Sequence, residues 1–394
     1  MFNIFKFDSC IVCGECFYRC PYLKLDREEA VLEKKKLLEG KESSVLRQCV
    51  SCYACNAFCP RDCHPYELIL KRWFENYQEK GLPIRAEYLL PSSMPNFRTD
   101  LVQGMEEREQ ELVKKWQETK PEGEVVLYPG CNGLALPHLL DASFLEEIPI
   151  AGTWDLCCGE MHFRMGLFDQ VKRTAGKLTE YYWDKKIGTM LFQCPACLNM
   201  FSNILPHQFG ARFDFEKKYL GTYLLEKMEV GQIRPEKKLN KKVTVHDSCH
   251  ARVMNGDILD DLRLLLEKCG AEVVEMELSR VKGFCCGAAA GAKRYNPFDI
   301  LSTAAGVLKE SKKTDASELA IYCGGCQLTL NMCRLFLPSR QPVRHMLEYV
   351  KESCGEGSYN PTRKRCVQMM LNILFKCFPK YLSARRFWIS GSTR

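Results

Sequence analysis

Eighteen of the chain's 24 cysteines fall into four groups whose spacing suits metal. Two runs read Cys-x2-Cys-x2-Cys-x3-Cys-Pro: Cys10, Cys13, Cys16, Cys20-Pro21 and Cys49, Cys52, Cys55, Cys59-Pro60. A [4Fe–4S] cubane needs four thiolates. One tight Cys-x2-Cys-x2-Cys turn supplies three, and the cysteine before proline in the other run supplies the fourth. Cys10, Cys13, Cys16 and Cys59 are therefore expected on one cubane, and Cys49, Cys52, Cys55 and Cys20 on the other. Zinc also takes Cys-x2-Cys pairs, but eight cysteines in this register with both prolines point to iron and sulfur. Cys63, just outside the second run, reads as a bystander.

Two later sets hold five cysteines each. The first is Cys131, Cys157-Cys158-Gly159 and Cys194-Pro-Ala-Cys197; the second is Cys249, Cys285-Cys286-Gly287 and Cys323-Gly-Gly-Cys326. Five thiols are one more than a cubane can take. Adjacent residues in extended backbone point to opposite sides, so a vicinal pair reaches two metal atoms more easily than it chelates one. Gly159 and Gly287 are expected where backbone passes close to the cluster. The chemistry implied is an unusual multi-iron site, or a cubane with a spare reactive thiolate; the bland alternative is a buried structural cysteine pair.

The elements that position these sets repeat. Val125–Tyr128 is a short strand ending in Pro-Gly-Cys131, and Val243–His246 one ending in Asp-Ser-Cys249. Each copy then has a helix-length segment, 169–185 or 299–312, and a second strand, 189–193 or 319–322, that ends at its Cys-x2-Cys. Strand, helix, strand with ligands at strand carboxyl ends is how open α/β sheets build sites. The chain thus reads as a duplication of about 120 residues, with the strand ends of the two copies expected to face each other. Ahead of it lie two helix-prone stretches, 26–42 and the amphipathic 65–79, and a connector with one charged helix, 101–118. The boundaries expected are a two-cluster domain at 1–80, the connector at 81–123, cysteine-rich domains at 124–228 and 229–355, and a basic amphipathic tail at 356–394. The fold class is α+β/α/β multidomain: a helical N-terminal domain followed by duplicated α/β domains.

These residues resemble the D-type subunit of heterodisulfide reductase, which joins a two-cluster ferredoxin domain to two Cys-Cys-Gly domains. They are also similar to the iron–sulfur subunits of anaerobic glycerol-3-phosphate and glycolate dehydrogenases. The phrases that carry the likeness are Tyr128-Pro-Gly-Cys131, His246-Asp-Ser-Cys249-His250 and Phe284-Cys-Cys-Gly-Ala-Ala-Ala-Gly291, and it spans roughly residues 1–350. The resemblance implies two cubanes and two noncubane [4Fe–4S] clusters facing each other, which cleave a disulfide fed with electrons by the ferredoxin pair. One departure stands out: 35 residues separate Cys249 from Cys285, but only 25 separate Cys131 from Cys157. The missing ten remove most of a helix. The second copy, nearer the family spacing, is expected to tolerate ligand changes less.

Two readings follow. In one, Cys157, Cys158, Cys285 and Cys286 are catalytic, with His246 and His250 as proton donors near neutral pH. In the other the chain is a relay between a flavin dehydrogenase and menaquinone or a membrane cytochrome. Both imply a hetero-oligomer with a flavoprotein or membrane cytochrome. His246 and His250 equally suit hydrogen bonds to cluster sulfur, and His162 with Arg164 suits tuning of potential, contact with an anionic substrate, or a plain surface pair. Cys269, Cys333 and Cys354 read as buried or spectator thiols. No Gly-x-Gly-x2-Gly follows a strand, so no flavin or nicotinamide site is expected.

Composition sets the frame. At 394 residues the chain has room for two to four domains. Nothing from Met1 to Asp8 suggests a signal peptide, and no run of apolar residues is long enough to span a bilayer. A reducing, cytoplasmic setting is expected, where a disulfide framework is disfavoured. Of the net charge of +7, the segment after Glu356 carries eight cations, the last of them Arg394, and no acid. That excludes a basic globular face for nucleic acid and marks a basic tail. Its segment 363–378, with Val367, Met370, Leu371, Leu374 and Phe378 on one face and Trp388 beyond, is expected to dock on a partner, on this protein's own surface, or peripherally on the inner face of a membrane.

Overall fold

Each N-terminal ligand run winds through left-handed backbone into one helical turn. Val12 and Gly14 have φ of 54° and 72°, and Ser51 and Tyr53, at the same places in the second run, 61° and 63°. The turns that follow are Glu15–Tyr18 and Ala54–Ala57. The computed structural model describes residues 4–254, 257–290, 297–337, 339, 341–357 and 359–389. Met1, Gly291 and Arg394, named above, lie outside them.

Two helices brace the ligand loops. Arg27–Leu38 starts at Asp26, whose carboxylate accepts from the Glu29 amide while Glu29 accepts in turn from the Asp26 amide, a reciprocal cap. Pro65–Lys80 buries Leu68, Ile69, Trp73 and Tyr77. The connector begins with a two-residue strand, β1 (Leu82–Pro83). The single helix expected at 101–118 is two, Phe97–Gln103 and Glu107–Glu118; Gly104 ends the first, and the chain reverses through Met105 and Glu106 before the second.

The first cysteine-rich copy is a three-stranded parallel sheet in the order β2 (Gly123–Tyr128), β3 (Ile187–Phe192), β4 (Glu216–Tyr219). The second is a four-stranded parallel sheet of β5 (Lys241–Val245), β6 (Ala271–Val273), β7 (Glu318–Ile321) and β8 (Val343–His345), in the order β6-β5-β7-β8. Helices Phe168–Tyr182 and Pro297–Ser311 make the crossovers into β3 and β7. Strands β6 and β8 have only three residues each, and β4 reads Glu-Lys-Lys-Tyr with a single apolar residue, so the sequence pattern does not reveal them.

Helix Ile258–Lys268 and strand β6 have no equivalent in the first copy. There the chain makes tight turns at Pro137–Leu139 and Ser143–Leu145, and a lone parallel bridge, Leu127 to Ile150, lies beside β2. The ten absent residues match most of this 11-residue helix, and the Leu127–Ile150 bridge holds the place beside β2 that β6 holds beside β5.

The tail folds back. Its helix, Thr362–Cys377, buries Arg365, Cys366, Met369 and Cys377. Arg365 pairs with Glu109 of the connector, and the Cys366 thiol donates to the Leu328 carbonyl at 3.4 Å on helix Gly324–Cys333. Strand β9 (Arg386–Phe387) pairs antiparallel with β1, and the Trp388 indole donates to the Gln78 carbonyl at 3.3 Å. The face that docks is not the apolar stripe read from the sequence: Leu371, Leu374 and Phe378 point outward, with Phe375 beside them. No helix among the described residues is long and apolar enough to cross a membrane.

Candidate metal centres

The vicinal cysteines split between partners. Cys157 faces Cys131, while the Cys158 thiol lies 3.5 Å from Cys197. In the second copy Cys285 pairs with Cys249 and Cys286 with Cys326. Alternation along extended backbone is the cause. Hydrogen bonding with Cys157 and Cys197 brings the Cys158 thiol down to about 6, and with Cys285 and Cys326 brings Cys286 down to about 5.

The triplet glycines serve a different purpose from the one expected. Both have left-handed backbone, φ 76° at Gly159 and 95° at Gly287. A Cβ on Gly287 would stand 2.7 Å from the Ile300 carbonyl, and one on Gly159 would press on Thr174. They let the crossover helix approach the triplet. The glycine that makes room beside a ligand is Gly130, whose Cβ would stand 2.9 Å from the Cys197 sulfur.

In the N-terminal domain, Cys59, Cys13 and Cys10 are the thiols that act on Cys16, which burial pushes up to about 12. Cys20 is likewise pushed up to about 12 by burial, with Cys52 and Cys49 as its neighbours. Thiols of the two runs thus lie beside one another, Cys16 near Cys59 and Cys20 near Cys52. Cys63 is buried against Cys59, its amide 3.3 Å from that sulfur.

The groups then meet. Cys194 and Cys323, at the carboxyl ends of β3 and β7, place their sulfurs 3.8 Å apart. Cys249 and Arg252 act on Cys52. The Cys285 amide donates to the Tyr22 hydroxyl at 2.6 Å. The ferredoxin-like pair therefore abuts the second five-cysteine set, and the second set abuts the first. All five thiols of the second set are buried, whereas Cys131 and Cys157 of the first are half-buried.

Around the thiols stand buried donors with nothing to bond. Lys34 Nζ, beside Cys16, has no hydrogen-bond partner; neither do Arg252 Nε and Nη1, Arg98 Nη1 or His246 Nε2. Arg252 faces Cys52, Cys249 and Cys285, and Arg98 faces Cys131 and Cys157. His246, Cys286 and Cys326 bring their donor atoms within 4.8 Å of one another. A buried cation or N–H without a partner is costly. An anionic, sulfur-rich group among the thiols would satisfy each, so the residues present fit iron–sulfur clusters.

The histidines differ. Burial and Arg252 hold His246 down to about 4, so its ring is neutral near pH 7. His250 bonds Asn199 through Nδ1 at 3.0 Å and Glu160 through Nε2 at 2.9 Å. His162 is held down to about 4 by burial and Arg98, and its Nε2 meets Ser92 at 3.1 Å. Neither His162 nor Arg164 is on the surface. Cys269 and Cys333 are buried and Cys354 half-buried.

Comparison with known proteins agrees with this geometry. Residues 2–60 match a 4Fe-4S dicluster domain, and residues 125–202 and 243–331 each match a cysteine-rich domain. The D-type subunit of the dihydromethanophenazine:CoB–CoM heterodisulfide reductase of Methanosarcina mazei is 26% identical over 395 aligned residues, covering 90% of this chain and 95% of that one. The chain is a homologue of the D-type subunits of heterodisulfide reductase. The corresponding subunit of Methanosarcina barkeri is 24% identical with the same coverage. The EtfAB:quinone oxidoreductase of Syntrophomonas wolfei is 25% identical over 73% of this chain and 49% of its own length. The chain is thus an iron–sulfur protein with an electron-transfer role in oxidoreductase chemistry.

Several residues of the site escape a reading of the sequence: Tyr22, Ser51, Tyr53, Arg98, Glu160 and Arg252. Only Glu160 leaves a trace, as the i,i+4 partner of Arg164 directly after a ligand triplet.

Proposed function

We propose that the chain is the disulfide-reductase-like subunit of an anaerobic redox complex, with its cysteines arranged as a serial electron path. The path runs from Cys10, Cys13, Cys16 and Cys59 to Cys49, Cys52, Cys55 and Cys20. From there it runs to the second five-cysteine set and then to the first. The supporting observation is the chain of contacts: Cys52 beside Cys249, and Cys323 3.8 Å from Cys194. Four-iron clusters, when bound, supply one-electron storage at each position. Cleaving a disulfide takes two electrons and two protons and yields two thiols, and two adjacent five-cysteine sets match that count.

The half-buried Cys131 and Cys157 make the first set the one an acceptor reaches. Arg98 would counter charge there. His250, bonded to Glu160, is better placed than the neutral His246 to pass on a proton, while His246 Nε2 is aimed to donate to sulfur. A second reading, a pure relay between a flavoprotein and menaquinone or a membrane cytochrome, draws on the burial of the other eight thiols. The discriminating experiment mixes the reduced protein anaerobically with a small disulfide and counts thiols. Two thiols per two electrons lost support the disulfide reading. Oxidation by a quinone analogue with no thiol formed from the disulfide supports the relay.

The exposed stripe Leu371, Leu374, Phe375 and Phe378, flanked by Lys364 and Lys376, is proposed to seat the protein peripherally on an anionic bilayer. Basic residues near such a surface contribute about 1 kcal/mol each. Liposome co-sedimentation of Leu374→Ser/Phe375→Ser should fall several-fold against the native protein, and native binding should weaken with salt. Unchanged binding would exclude the stripe.

A further inference from the structure

Arg164 belongs to the first cysteine-rich copy, yet its charge serves the second. It closes the short helix Glu160–Arg164 that follows Cys157-Cys158-Gly159. The residue is 2% exposed, and its guanidinium touches three parts of the molecule. Nε donates to Glu160, Nη1 donates to the carbonyl of Ser51 between Cys49 and Cys52, and Nη2 donates to the Cys249 sulfur at 3.0 Å. The Tyr53 ring lies under it at 5.0 Å and meets the His250 ring at the same distance. Tyr53 holds left-handed backbone, which an L-residue adopts only at a cost. One arginine thus spans the ligand loop of the neighbouring cubane, the triplet of the first set and the first ligand of the second.

We propose that Arg164 is a positioning residue that raises the reduction potential of the second five-cysteine set and aligns it with the adjacent ferredoxin-type cubane. The inference rests on the cluster assignment proposed above. A fixed positive charge in contact with a ligand thiolate favours the state with the extra electron, and N–H bonds to sulfur act in the same sense. Among the described residues the cation of the first set acts less directly: Arg98 faces Cys131 and Cys157, but its hydrogen bond goes to Asn132 Oδ1 at 3.4 Å, and Asn132 Nδ2 is 3.9 Å from Cys194. Arg164 therefore biases electron intake towards the second set. Glu160 works against it, because it neutralises part of the same charge.

An anaerobic redox titration followed by EPR tests this on the full-length protein. Arg164→Gln should lower the reduced fraction of the second set about tenfold at fixed poise, equivalent to about 59 mV for one electron. The cubane and first-set signals should stay in place. Arg164→Lys, which keeps the charge, should recover most of that fraction. Glu160→Gln should move it the opposite way, a sign that general loosening does not produce. An unmoved second-set potential in both Arg164→Gln and Glu160→Gln overturns the proposal, as does an equal shift of all clusters. If the native protein holds no cluster in the second set, iron analysis reports that first, and the functional reading falls independently of Arg164.

Discussion

The second cysteine-rich copy interposes helix Ile258–Lys268 and strand β6 between its first ligand and its vicinal pair; the first copy crosses the same gap with tight turns. Yet the five thiols group alike in both, because the first ligand and the Cys-x2-Cys follow the two strands the copies share, β2 with β3 and β5 with β7, and the vicinal pair precedes the crossover helix in each. What changes is the surroundings. His246 stands beside the second set where the first copy has Tyr128, whose hydroxyl bonds the Leu156 carbonyl. The second set is sealed under the ferredoxin-like domain, while the first keeps two half-buried cysteines. A duplicated donor set can thus be specialised by what packs on it, with the donors unaltered.

The largest test of that contrast removes a ligand from each copy. Cys286→Ser and Cys158→Ser should each cost about four of about sixteen irons, since Ser is a poor substitute for thiolate. They should differ in rapid-freeze EPR. Cys286→Ser should stop reduction of the first set through the ferredoxin-like domain, whereas Cys158→Ser should leave reduction of the second set at its native rate. The reverse pattern would invert the path.

Removing residues 357–394 should discriminate less sharply. From sequence alone the tail looks dispensable for the clusters, because each assigned ligand precedes it. In the fold it covers helix Gly324–Cys333, which carries Cys326 of the second copy, and its loss leaves Glu109 buried without Arg365. Breaking such a buried pair costs about 3–5 kcal/mol. Iron release against denaturant should therefore begin earlier, and at the second set first. Simultaneous release from both sets would make the tail a brace for the whole molecule.

The smallest effects probe the His246 and Tyr128 difference directly. Tyr128→Phe should lower stability by about 1 kcal/mol through one lost hydrogen bond and leave both spectra alone. His246→Gln should alter the second-set EPR signal only. An unchanged signal would reduce the imidazole to filler.

The ligand sets and the two-copy plan were legible because metal chelation is short-range in sequence. Cys-x2-Cys brings two thiols together in one turn, and a strand ending at a cysteine needs only four or five apolar residues to be recognised. The helix break at Gly104, strands β4, β6 and β8, and the β1–β9 pairing were not legible; each is short, and tertiary contacts decide it. The tail shows the limit best. Its apolar stripe was evident, but the face that docks is the one with Arg365 and Cys366, because a buried Glu109 and the Leu328 carbonyl await them. Likewise nothing local announces that Arg164 in one copy will bond Cys249, 85 residues away in the other. By itself the sequence determined where the four cysteine groups fall and the two-copy plan that carries them. Only the tertiary structure decided which set lies against the ferredoxin-like domain, which is less deeply covered and where the counter-charges fall, because those depend on surfaces brought together across the whole chain.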